Sequence, residues 1–151
     1  MAGMYDQFKT DASLEAEGIW LDYGPFRVRV ARAGGGNKKF EKLMAAKVAP
    51  YKRAIATETL SDEISNKVLM EAYAEAVIIA WEVRDEQADV SGGESQWVSG
   101  IEAEDGHVMP FNPENVIKTL KALPDLYIDI RAQASKAALF LRSIRENDSK
   151  N

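Results

Sequence analysis

Ser61-Asp62-Glu63-Ile64-Ser65-Asn66-Lys67-Val68-Leu69-Met70-Glu71-Ala72-Tyr73-Ala74-Glu75-Ala76-Val77-Ile78-Ile79-Ala80-Trp81 carries the strongest periodic signal in the chain, and the fold class turns on how far it is read as helix. Ser61 is a suitable N-cap, since its side-chain oxygen can accept from an unpaired amide of the first turn. Asp62 and Glu63 then lie at the positive end of the helix dipole. Ile64, Val68, Leu69, Ala72, Tyr73, Ala76, Val77, Ile79, Ala80 and Trp81 follow in a stripe that widens toward its C-terminal end. This pattern predicts a single helix through Trp81, the most buried of the domain.

Upstream, Phe26, Val28 and Val30 alternate with Arg27, Arg29 and Arg32 at nearly the period of a strand with one buried face. Gly24-Pro25 is a turn signal between this run and Ile19-Trp20-Leu21-Asp22-Tyr23. A hairpin with Phe26, Val28 and Val30 inside is expected. Gly34-Gly35-Gly36 then loosens the backbone, and Asn37 can cap a helix whose stripe is Phe40, Leu43, Met44, Val48, Tyr51 and Ile55. Pro50 lies inside that stripe and removes a backbone donor, so the helix should kink or divide there.

Downstream, Asp85 to Gly100 has little periodicity and reads as a mobile surface loop. Trp97-Val98 and Ile101 allow a short strand, pairing across Glu104-Asp105-Gly106 with His107-Val108-Met109. Asn112-Pro113-Glu114 combines an N-cap, proline at the first helical position and an acidic first turn. Pro124 starts the next helix, whose spacing continues through Ile130, Ala134, Leu141 and Ile144. The expected fold is mainly α, with four or five packed helices, a small N-terminal β hairpin and a second short hairpin. Residues 1–18 read as an N-terminal arm, 19–145 as a single α-rich domain and 146–151 as a disordered polar tail.

Composition narrows the function classes. The chain has 151 residues, 46% hydrophobic and 28% charged, enough for a core without staples. Cysteine is absent, which excludes disulfides, thiolate metal sites and cysteine nucleophiles. Nineteen basic residues against 24 acidic ones give a formal net charge of -5, which disfavours a general duplex DNA binder. No basic flank leads into an apolar run at the start, and Ala76 to Trp81 is too short to span a bilayer. A cytosolic protein without a membrane partner is the default.

Candidate chemistry is sparse. His107 is the only histidine, so a zinc or two-histidine iron site has no ligand set, and neither cofactor nor catalytic residue is assigned. Glu71 and Glu75, with Glu82 beyond them, share roughly one helix face and read as a solvated edge pairing with Lys67 or another lysine. Gly34-Gly35-Gly36-Asn37-Lys38-Lys39 joins strand to helix but lacks the spacing of a phosphate loop, and reads as a connection. Arg27, Arg29, Arg32, Lys38, Lys39, Lys42, Lys47, Lys52 and Arg53 make the first half basic. With Tyr51 nearby, this flank suits an acidic protein partner at least as well as nucleic acid. Trp20, Trp97 and Tyr127 are candidate partner anchors, whereas Trp81 and Phe140 read as core. Partner-binding candidates are therefore Trp20, Tyr51, Trp97, Tyr127, Arg27, Arg29, Lys38 and Lys39.

Several segments together carry a resemblance: Tyr23-Gly24-Pro25-Phe26-Arg27-Val28, Ala33 to Phe40, Ala49-Pro50-Tyr51-Lys52-Arg53, Tyr73-Ala74-Glu75 through Trp81, Gly106 to Phe111, and Leu123-Pro124-Asp125-Leu126-Tyr127 with Ala138-Leu139-Phe140. In order and spacing, from about Trp20 to Arg142, they resemble the tail assembly chaperones of long-tailed bacteriophages and related prophages. The resemblance implies a small, largely helical, non-enzymatic protein that coats the tape-measure protein while tail-tube subunits polymerise around it. It also implies work in the host cytoplasm, absence from the mature particle, and copies numerous enough to cover the tape-measure protein, with a homo-oligomer among the expected partners. In such phages a frameshift can add a C-terminal extension, and this chain resembles the unextended form. The stretch Asp89 to Ser99 is longer than the resemblance leads one to expect. Two rival readings are a structural tail-completion or head-tail connector protein, which would be abundant in particles, and a small nucleic-acid-binding regulator, which would show steep salt dependence.

Overall fold

The computed structural model describes residues 3–85 and 96–141. Strands β1 (Ile19–Asp22) and β2 (Phe26–Val30) form the expected antiparallel hairpin, with Ile19 opposite Val30 and Asp22 opposite Arg27. Gly24 takes a φ of 96° in the turn, a conformation that side chains with a Cβ resist. Val28 and Val30 are fully buried, as the alternation requires.

β2 is a central strand, and here the mainly α expectation fails. Its second edge pairs with β3 (Ile78–Asp85), placing Val28 opposite Trp81, and β3 pairs in turn with β4 (Gln96–Ser99). The result is a four-stranded antiparallel sheet in the order β1-β2-β3-β4. A separate pair, β5 (Ile101–Glu102) and β6 (Val108–Met109), closes across Asp105-Gly106 as expected. With 54% helix and 20% strand among the described residues, the fold is mixed α/β.

The correction falls at Ala76. Helix α5 (Asp62–Ala76) begins at its Ser61 cap but ends five residues before Trp81. Val77-Ile78-Ile79 is a β-branched run, stiff at χ1 and at home on a pleated surface. An apolar stretch of that length is equally a buried strand or a helix segment when periodicity alone is consulted. Pairing with β2 decides it: Trp81 and Val83 turn inward and Arg84 outward, a period of two. Within the stretch Asp85 to Gly100, the short strand expected at Trp97-Val98 forms from Gln96 to Ser99, but it pairs with β3, and only Ile101–Glu102 pairs across Asp105-Gly106; residues 86–95 lie outside the described set.

The other helices follow local signals. Helix α3 (Lys38–Val48) is capped by Asn37, and Pro50 divides it from α4 (Lys52–Ala56) through a 3-10 turn, Ala49–Tyr51. Helix α6 (Pro113–Ala122) starts at Asn112, whose side chain accepts from the Asn115 amide at 2.8 Å, and α7 (Pro124–Ala134) starts at Pro124. The expected extension toward Ile144 stops at Ala134, and a 3-10 turn, Ala137–Phe140, replaces it. Ile144 and the tail at 146–151 lie outside the described residues.

The core fills the space between the inner face of the sheet and the helices, with Val28, Val30, Tyr73, Trp81, Leu120 and Ile130 among its members. Short helices α1 (Met4–Phe8) and α2 (Ala12–Glu17) precede the sheet. Glu15 is only 3% exposed and pairs with Arg32 at 2.5 Å. The glycine loop closes over it: a Cβ on Gly35 would lie 2.1 Å from a Glu15 carboxylate oxygen. A carboxylate of the chain itself thus sits beneath the loop.

Candidate functional site

Alternation along the strands places Trp20, Arg27, Arg29, Glu82, Arg84 and Trp97 on the face of the sheet that points away from the core. The Arg27 guanidinium lies between two indoles, 4.1 Å from the Trp20 ring centre and 4.6 Å from that of Trp97. Arg84 sits 4.8 Å from the Trp97 ring and donates from Nε to the Gly24 carbonyl at 2.8 Å. Arg27 Nε and Nη2 both donate to Glu82 Oε1, at 2.7 and 2.5 Å. Each cation–π contact contributes on the order of 0.5–1 kcal/mol at an exposed site and more when water is excluded.

The chemical consequence is a pre-ordered aromatic surface. The two tryptophans are fixed by the guanidinium between them, so a partner would find their outer surfaces already oriented. Trp20 keeps 36% of its surface exposed. Tryptophan and arginine are the residue types most enriched at protein interface hot spots. A nucleobase could stack on an indole as well, but Arg27 occupies the space between the rings and Glu82 neutralises it.

Four of the residues singled out from sequence therefore meet on this face: Trp20 from β1, Arg27 and Arg29 from β2, and Trp97 from β4. The others do not join them. Lys38 and Lys39 are exposed in the first turn of α3, where Lys38 lies 3.5 Å from Glu41. Tyr51 lines a groove between α3–α4 and α5. Tyr127 is only 8% exposed, packed edge-on against Tyr73 with its hydroxyl buried and without a hydrogen-bond partner among the described residues, so it belongs to the core.

The carboxylates also separate. Glu71 and Glu75 reach Lys47 of α3, at 3.2 and 3.5 Å, in place of Lys67, while Glu82 lies on the sheet. His107 lines a different hollow of about 700 Å³ between β5–β6 and α6, together with Lys118 and Leu123. There its backbone amide, and after it the ring, hold the Asp105 carboxyl below its ordinary range. Trp81 and Phe140 are buried as expected. Sequence reasoning missed Arg84 and the sheet role of Glu82, because both followed a run read as helix; the alternation Trp81-Glu82-Val83-Arg84 was the available signal.

Residues 96–151 match the model of the YdaY prophage protein family. The match begins at β4, so it includes Trp97 and leaves Trp20, Arg27 and Arg84 outside. It covers less than half of the chain and supports a prophage-related protein. No curated protein and no solved structure matches the chain. Among the described residues no helix is long and apolar enough to cross a membrane.

Proposed function

We propose that the chain is a tail assembly chaperone of a prophage, and that it holds its protein partner on the outer face of the sheet. The observation that carries this reading is the ladder Trp20–Arg27–Trp97–Arg84, an ordered aromatic surface lying outside the core. The similarity to a prophage protein family supplies the setting, and the order of segments that resembles the tail assembly chaperones supplies the finer assignment. Its partners are then the tape-measure protein and the tail-tube protein, met in the host cytoplasm and released before the particle is complete. A face of two indoles with a polar, charged rim suits such reversible binding, because the hot spot is small and the surrounding contacts exchange readily with water.

The test is co-expression with the tape-measure protein of the same prophage. Wild-type chain should keep that protein soluble and co-purify with it, and the double variant Trp20→Ala/Trp97→Ala should weaken the complex at least about tenfold, the loss of one modest hot spot. A tape-measure protein that remains insoluble and unbound beside the wild-type chain would refute the chaperone assignment.

A further inference from the structure

The stripe that begins at Phe40 is only partly used by the core. Phe40 itself packs edge-on against Tyr73, but beyond it the stripe stays half open, and Ile55 at its end is 46% exposed. Met44, Val48, Tyr51 and Ile55 form one wall of a groove of about 450 Å³, and Val68 and Leu69 of α5 form the other. Pro50 helps to create it, because the break into a 3-10 turn separates α4 from the line of α3. The first turns of α5 carry Asp62, Glu63 and Ser65, which are exposed and cannot cover an apolar wall.

A matching surface lies elsewhere on the same chain. Helix α1 turns Met4, Tyr5 and Phe8 to solvent at 69, 63 and 75% exposure. Met4 and Phe8 are four residues apart and so lie on one helix face, with Tyr5 beside them. This patch is held in place: just after it, Thr10 bridges Leu141, and the Asp11 amide donates to the Phe140 carbonyl at 2.8 Å. At those exposures it is not seated in its own groove.

We infer that the two surfaces meet between copies, with α1 of one chain laying Met4, Tyr5 and Phe8 into the groove at Tyr51 and Ile55 of a second copy. An amphipathic helix in an apolar groove is a common recognition mode. The area sets the strength. Three such side chains offer on the order of 400 Å² of apolar surface, and with the groove wall the total stays below the roughly 1,200–2,000 Å² of stable complexes. The contact is therefore weak and concentration-dependent. Since the two patches differ, the contact is heterologous, and each copy can give one helix and receive another, building a ring or an open chain. The sheet face takes no part, so this inference stands independently of the proposed partner.

Sedimentation velocity on the full chain tests it, from about 10 µM to about 1 mM, where an interface of this size should dissociate. The weight-average mass should rise with concentration to at least twice the monomer. Phe8→Asp alone and Ile55→Asp alone should each stay monomeric. An equimolar mixture of the two variants should recover a dimer and nothing larger, because one supplies the intact groove and the other the intact helix. Both positions are exposed in the monomer, and Phe8→Ser and Ile55→Ser replace either aspartate variant whose circular dichroism departs from wild type. A wild-type chain that stays monomeric throughout overturns the inference, as do single variants that still associate, which an α1-to-α1 contact would require of Ile55→Asp, or a mixture that remains monomeric. Trp20→Ala/Trp97→Ala should self-associate like wild type, and its failure to do so would likewise refute the separation of the two surfaces.

Discussion

The Tyr23 hydroxyl donates to Asp129 at 2.6 Å and so fastens the β1–β2 turn to α7. Its ring stacks on Phe26, which stacks on Trp81, so the bond sits at the end of an aromatic row. Burial, and then the hydrogen bond to Asp129, push the phenol well above its ordinary value. An unfolded chain would lose this proton near pH 10, while the folded chain holds it to higher pH. The stabilisation is thus complete below about pH 10 and is lost as pH rises through the folded value. Tyr23→Phe should cost about 1 kcal/mol at neutral pH, and its urea midpoint should fall less steeply above about pH 10 than that of wild type. Equal alkaline slopes in the two proteins would rule out Tyr23 as the titrating group. At this scale the sequence singled out Trp20, Arg27, Arg29 and Trp97 as partner-binding candidates, and the strand register brings the four to one face of the sheet. That Arg27 would lie between two indoles could not be read, because the rings come from strands 77 residues apart in sequence, at Trp20 and Trp97.

Among the elements, α3 depends on Asn37 for more than a cap. The Asn37 side-chain oxygen accepts from the Phe40 amide at 3.3 Å, while its nitrogen donates to the carbonyls of Arg32 and Ala76, each at 2.9 Å. One residue therefore joins the end of β2, the start of α3 and the end of α5, and it is only 4% exposed. Aspartate is as good an N-cap as asparagine on an isolated helix, but here it would set a buried charge against two carbonyls. Asn37→Asp should destabilise by about 2–4 kcal/mol, no less than Asn37→Ala, as measured by urea denaturation at neutral pH. Recovery of stability in the aspartate variant would mean that capping alone accounts for the residue. Ser61, Asn112, Pro113, Pro50 and Pro124 each marked an element boundary legibly, since a cap or a missing amide acts within one turn. Ile78 did not. No glycine or proline announces the change from helix to strand, and the pairing partner that causes it lies about fifty residues upstream.

Across the whole molecule, Phe140 links the early helices to the C-terminal turn. Its side chain is fully buried, and its carbonyl receives the Asp11 amide beside the Thr10–Leu141 bridge. Phe140→Ala should lower stability by about 3–5 kcal/mol through the cavity it leaves. It should also speed hydrogen exchange at the Asp11 amide more than at the amides of α6, which a uniform loss of stability would not do. What the sequence determined by itself was local: caps, proline breaks, the Gly24-Pro25 hairpin and the two-residue alternation of β2, all set by interactions reaching a few residues. Tertiary structure alone decided that Ile78 to Trp81 would leave the helix for a strand, that Trp20 and Trp97 would share a face, and that Tyr127 would be inside. The physical reason is that an apolar run satisfies burial in either conformation, so the open edge of β2, with backbone amides and carbonyls needing partners, made the choice.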